Sequence, residues 1–244
     1  MRIIKLTIEY DGTNYAGWQV QENGLGVQQV VEEALAKILA TKVRLYSSGR
    51  TDAGVHAKGM VATFGTDRDI PLNAFSDGVN CHLPHDIAVK SAEEVAPGFD
   101  PRRDARGKHY RYTILNTPRR SPLNRLYTWH FKGSLDLDLM REAARQMMGE
   151  KDFAAFRTSG CAARTTVRNV YSVDITRHGD YILIDVRGSG FLRNMVRIMV
   201  GTLVQVGEGK ISPDSIPRFF EEKYGATAGM TAPAHGLCLM EVFY

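Results

Sequence analysis

Lys108-His109-Tyr110-Arg111-Tyr112-Thr113-Ile114-Leu115 is the stretch at which this chain starts its pattern over again. It is β-rich, and strand periodicity sets His109 and Arg111 on one face and Tyr110 and Tyr112 on the other. Beyond it, residues 135–148 form a helix with Leu139, Ala143 and Met147 along one side. Residues 170–176 and 181–187 read as a hairpin across His178-Gly179-Asp180. An apolar helix over 191–206 and a final strand over 237–243 follow.

The residues before Lys108 carry the same order. Residues 2–9 alternate and read as a strand, and Val27, Val31, Leu35, Ile38 and Leu39 recur at helical spacing over 27–40. Strands are expected at 43–46 and 60–64, a helix entered by Pro71 at 71–79, and a further strand starting at 87–89. Strand, helix, strand, strand, helix, strand therefore occurs twice. This predicts an α+β fold of two ferredoxin-like (split βαβ) halves, 1–104 and 105–244, although no residue-level repeat is visible.

Composition narrows the function classes. Of 244 residues, 43% are hydrophobic and 24% charged, as in a soluble globular protein. The first ten residues alternate charged and aliphatic types, so neither a signal peptide nor a membrane span is expected. Cys81, Cys161 and Cys238 are odd in number and in no paired motif, which fits a reducing, cytoplasmic setting. Cys81-His82-Leu83-Pro84-His85 has no supporting ligand cluster, so no metal and no cofactor are expected. The net charge of +4 permits a nucleic-acid partner without requiring one. Residues 98–125 hold eight Lys or Arg against two Asp, with Tyr110 and Tyr112 among them. Cations interleaved with aromatics suit a phosphate backbone and unstacked bases, and a solvated basic loop has the same composition.

Chemistry points to residues 47–56, Ser-Ser-Gly-Arg-Thr-Asp-Ala-Gly-Val-His. Glycines bracket a polar core in an exposed turn. In a near-extended chain Arg50 and Asp52 share a side and Thr51 faces the other. A guanidinium beside a carboxylate favours its ionised form, and an ionised Asp can attack an electrophile or take a proton. The same composition also makes an ordinary Asp-closed turn. Tyr10-Asp11-Gly12-Thr13-Asn14-Tyr15-Ala16-Gly17-Trp18-Gln19 is a second turn-rich loop, in which Trp18 either serves a binding surface or plugs a small core. In the apolar helix of 191–206, Arg193 and Arg197 are four apart and would stack one turn over another. A guanidinium there needs an anion, either a carboxylate or a phosphate.

Ser48-Gly49-Arg50-Thr51-Asp52-Ala53-Gly54-Val55-His56-Ala57 resembles the signature of the tRNA pseudouridine synthases of the TruA type. The loop over 10–19, the segment 149–156 and Gly190-Phe191-Leu192-Arg193-Asn194-Met195-Val196-Arg197 resemble further segments of that family, so the likeness covers nearly the whole chain. The resemblance implies antiparallel sheets joined about a central RNA-binding cleft. It implies that Asp52 is the catalytic carboxylate, that Tyr110 packs against the target base and that Arg197 pairs with Asp52. Arg50 would place RNA and hold the nucleotide out of its stack. The segment 149–156 would be structural, with Phe153 and Phe156 as core anchors and Asp152 closing a turn, and the loop over 157–168, centred on Ser159-Gly160, could touch RNA. The implied partner is tRNA, modified in the anticodon stem-loop at positions thirty-eight to forty, and the implied assembly is a homodimer. A non-catalytic RNA-binding protein and an N-glycosidic enzyme that releases a free base are the rival classes.

Overall fold

The computed structural model describes residues 1–158, 164–221 and 228–244; Cys161 and the Ser159-Gly160 centre of the basic loop lie outside the described residues. The fold class is α+β. The chain divides into two compact units, one of residues 1–106 with 238–244 and one of residues 107–237.

In the first unit, β1 (Arg2–Tyr10) lies antiparallel between β3 (His56–Thr66) and β4 (Ile87–Val95), and β2 (Tyr46–Ser47) pairs antiparallel with β3. The order β4-β1-β3-β2, with helix α1 (Val27–Leu39) between β1 and β2 in sequence, is the split βαβ arrangement. Ile4, Leu6 and Ile8 are fully buried along one face of β1, opposite Phe64, Ala62 and Met60 of β3. Val31, Leu35 and Leu39 of α1 are equally buried, on the stripe that their helical spacing defines.

Three details differ from the reading of the sequence. Residues 43–45 form no strand, and at Leu45 the backbone polar groups are taken elsewhere. The Leu45 amide donates to Glu32 Oε1 (2.9 Å), and its carbonyl accepts from Gln28 Nε2 (3.0 Å), so two side chains of α1 replace a ladder partner. The helix expected at 71–79 is a single 3₁₀ turn, Leu72–Phe75, followed by the short α2 (Asp77–Asn80). The strand β10 (Leu237–Phe243), which sequence order counts with the second half, runs parallel to β3 through Cys238↔His56 and Leu239↔Ala57, within the first unit.

In the second unit, β5 (Gly107–Asn116) pairs antiparallel with β9 (Tyr181–Gly188), β9 with β8 (Val167–His178), and β8 with β7 (Gly149–Asp152). The short β6 (Trp129–Phe131) adds in parallel to β5. Neither β6 nor β7 was expected. β7 is an edge strand whose Glu150 is exposed, and its polar sequence reads as a turn. The hairpin turns through Gly179-Asp180, with Gly179 at φ 58°, where glycine carries no steric cost. Asp136 caps α3 (Leu137–Gln146) by accepting from the amides of Asp138 and Leu139. Asp152 closes the turn after β7 by accepting from the Ala154 amide (2.9 Å), and Phe153 and Phe156 are fully buried beside it.

Helix α4 (Met195–Gly207) begins later than the apolar run suggests. Asn194, at φ 60°, stands in the left-handed region and cuts residues 191–194 off from it. Arg193 is therefore exposed in the preceding loop and does not stack on Arg197 along a helix, contrary to the expected spacing.

Candidate active site

Residues 48–55 link β2 to β3 in the first unit, and their burial alternates. Arg50 is exposed, Thr51 is buried and Asp52 is half-buried. Thr51 is turned inward because its Oγ1 shares a buried hydrogen bond with Tyr10 Oη (2.8 Å), whereas its neighbours Arg50 and Asp52 are less buried. The Val55 amide donates to the Asp52 carbonyl (3.1 Å), closing a turn whose third residue, Gly54, has φ 75°. The stretch is thus both a well-formed turn and a platform that presents a carboxylate.

The platform is bolted to the loop of residues 10–19. Trp18 N–H donates to the Thr51 carbonyl (3.2 Å), and Gly54 N–H donates to the Tyr15 carbonyl (3.3 Å). Two glycines permit this approach. A Cβ on Gly12 would stand 2.1 Å from the Val55 carbonyl oxygen, and one on Gly17, at φ 99°, would stand 2.5 Å from that of Thr51. His56 closes the far end, its Nδ1 accepting from Gly12 N–H (3.0 Å) with Asp11 Oδ1 also 3.1 Å away. Tyr10, Tyr15 and Trp18 are all buried, which resolves the sequence ambiguity in favour of a core plug. Burial, then the hydrogen bond to Asp86 (2.7 Å), raises the Tyr15 hydroxyl well above the ordinary tyrosine range, so it remains a donor at any working pH.

In the second unit, Tyr110 and Tyr112 share the face of β5 that their alternation predicts. Tyr112 is fully buried, donates to the Pro233 carbonyl (2.8 Å) and fills the space that a side chain at Gly236 would need. Tyr110 is 8% exposed and meets Phe191 edge-to-face, with centroids 5.3 Å apart. Arg197 lies in the first turn of α4, half-buried, with Nε donating to the Ala232 carbonyl (2.7 Å) and one terminal nitrogen to Asn194 Oδ1 (2.7 Å). The left-handed Asn194 that ends the preceding loop therefore also orients the guanidinium. Arg50 and Asp52 share one loop of the first unit, and Tyr110 and Arg197 belong to the second.

The opposite face of β5 carries a network that the sequence did not announce. Asp185 of β9 accepts from both Arg111 Nε (2.9 Å) and a terminal nitrogen (3.1 Å), and its Oδ1 also meets His109 Nε2. Arg111 therefore leaves the pool of basic residues counted as RNA contacts. Burial pushes the Asp185 carboxyl up, but the Arg111 and His109 hydrogen bonds and charges outweigh it and hold the group below the ordinary Asp value. The stability that this supplies is present above the unfolded-state value near pH 4 and is lost as pH falls through the lower folded value. Asp185→Asn is expected to cost about 2–3 kcal/mol at pH 7, the scale of charge-assisted hydrogen bonds, and to flatten the acid limb of the melting curve. Equal melting of the two proteins at pH 7 would contradict the network.

Among the described residues, no group of three or more His, Cys, Asp or Glu side chains is arranged to hold a metal ion. No described helix is long and apolar enough to cross a membrane.

Comparison with known proteins agrees with the signature. A family model described as tRNA pseudouridine synthase matches residues 6–102 and 143–244. The chain is 63% identical over 242 residues to the tRNA pseudouridine synthase A of Geobacter sulfurreducens, covering 99% of each chain. It is 61% identical to that of Pelobacter propionicus and 48% identical to that of Acetivibrio thermocellus, each over the full length of both chains. A turn that presents one carboxylate, braced by a glycine-bearing loop, thus sits inside a match spanning most of the sequence, and the chain belongs to the tRNA pseudouridine synthase family.

Proposed function

We propose that this chain isomerises uridine to pseudouridine in the anticodon stem-loop of tRNA, at positions thirty-eight to forty, with Asp52 as the catalytic carboxylate. The reaction breaks the N1–C1′ bond and makes a C5–C1′ bond; the C5 hydrogen leaves to solvent and N1 ends protonated. No group is added and no electron is exchanged. The target must leave its stack to expose both atoms, and unstacking costs a few kcal/mol that protein contacts offset.

Asp52 starts the rearrangement, as nucleophile or as base. Arg50, exposed two residues away on the same side, binds the RNA and holds the nucleotide out. Arg197 binds substrate with a guanidinium already aimed by Asn194 and Ala232. Tyr110 packs against the target base; base–aromatic contact contributes about 1–3 kcal/mol, and at 8% exposure the ring offers a small area. A cytoplasmic homodimer is the working form. The observation that carries this reading is the Asp52 loop itself, a turn held by the backbone of a second loop, with Asp52 half-buried two residues from an exposed Arg50.

The test is hydrogen release. Incubated with a tRNA transcript carrying C5-tritiated uridine, the native chain should release label to solvent, and a transcript with cytidine at the three proposed positions should give none. Release of free uracil would support the glycosidic alternative, and tRNA binding without release would support a plain RNA-binding protein.

A further inference from the structure

The strand that follows the catalytic loop contains an irregularity with a chemical result. Along β3, Phe64, Ala62 and Met60 point into the core opposite Ile4, Leu6 and Ile8. Continued alternation would send Lys58 inward as well. It does not go there, because the register slips. Ile8 faces Met60, but Tyr10 faces Ala57, so Lys58 and Gly59 together oppose a single residue of β1. This is a β-bulge, which re-aims one side chain and is frequent beside active sites. Gly59 makes room for it, since a Cβ there would stand 2.7 Å from the Met240 carbonyl oxygen of β10.

Lys58 is exposed within a strand that is otherwise almost wholly buried, and it borders a recess of about 260 Å³ together with Lys5, Thr7, Glu241 and Tyr244. The recess has a built wall. Lys5 is paired with Glu93 (2.7 Å) and lies over the Tyr244 ring, 5.3 Å from its centroid. Tyr244 packs on Phe99 and donates to the Pro101 carbonyl (2.8 Å). Asp100 and Asp104 then hold a compact turn on which Arg102 and Arg103 are exposed. Glu241 is the carboxylate in the lining, and among the described residues no ion pair engages Lys58.

We propose that Lys58 is a substrate-positioning residue that binds one phosphodiester of the RNA strand whose target base reaches Asp52. This rests on the function proposed above. An exposed ammonium with no ion pair among the described residues can meet one phosphate oxygen by a charge-assisted hydrogen bond. Lys58 is six positions along the chain from Asp52, so their Cα atoms are at most about 20 Å apart, within the span of one RNA segment.

The test uses the full chain with unmodified tRNA, measuring Kd from about 50 to 200 mM salt for native protein, Lys58→Gln and Lys58→Arg. Removing one phosphate contact lowers the salt slope by about 0.7–0.9, so the fall in affinity across that range becomes about 3-fold smaller for Lys58→Gln. Lys58→Arg should restore the native slope, and in Lys58→Gln the loss should fall on KM more than on kcat. A native slope and Kd in Lys58→Gln would overturn the proposal, as would a Lys58→Arg that behaves like Lys58→Gln. Asp52→Asn, measured alongside, separates this from the underlying reading. If that variant keeps tritium release, the assigned chemistry fails; if only the slope is unmoved, Lys58 alone is wrongly placed.

Discussion

Asp52→Asn should abolish tritium release while leaving tRNA affinity and melting temperature close to native. The amide has nearly the same size, and three backbone bonds brace the loop whatever the side chain at 52: Val55 N–H to the Asp52 carbonyl, Trp18 N–H to the Thr51 carbonyl and Gly54 N–H to the Tyr15 carbonyl. The change therefore removes charge, nucleophilicity and basicity without unfastening the platform. Removing a single essential group from an enzyme typically costs on the order of 10⁴–10⁶-fold in kcat. Release by the variant within ten-fold of native would show that the carboxylate has no chemical role. A comparable loss of tRNA affinity would make Asp52 a binding residue instead.

Gly17→Ala should damage both stability and activity, through the same contact. The backbone there is at φ 99°, where a side chain is strained, and the added Cβ would stand 2.5 Å from the Thr51 carbonyl oxygen. A main-chain oxygen cannot rotate away as a side chain can, so the whole 48–55 loop must shift. Overpacking of this kind costs about 1–3 kcal/mol. In a domain of this size each kcal/mol lowers Tm by about 2–4 °C. The larger effect is on rate, because a misplacement of about 1 Å can cost about 100-fold. Gly12→Ala, aimed at the Val55 carbonyl at 2.1 Å, should behave alike. As a control, Gly98→Ala shares a positive φ but meets nothing within 4 Å, so it should lose stability without a selective loss of rate. Normal kcat in Gly17→Ala would mean that the two loops are not mechanically coupled.

Much of the scaffold can be read directly from residue pattern. β1, α1 and the β8–β9 hairpin carry strict alternation or helical spacing, and each lies where that pattern puts it. The failures have local causes. Residues 43–45 look like a strand, but Gln28 and Glu32 claim the Leu45 backbone, and no periodicity reports a side-chain partner. The apolar run over 191–206 reads as one helix because hydrophobicity does not register the left-handed turn at Asn194. At the site, the motif made Arg50 and Asp52 visible, and the alternation about Thr51 gave their common side. The supports were not visible as such. Gly12 and Gly17 look like ordinary turn glycines until the Thr51 and Val55 carbonyls are seen against them. Lys58 fits no sequence pattern, because a one-residue slip in register leaves composition unchanged.

The first unit is discontinuous in sequence: β10 comes back to β3 only after all of residues 107–237 have intervened. A ribosome thus finishes the entire second unit before it emits the strand that completes the first. Contacts of such long separation form late and slow folding. The inserted unit, whose residues are contiguous, can assemble while β3 still lacks its pairing with β10 through Cys238 and Leu239. A nascent chain would therefore carry its acidic residue in an unfinished setting until β10 has followed the inserted unit.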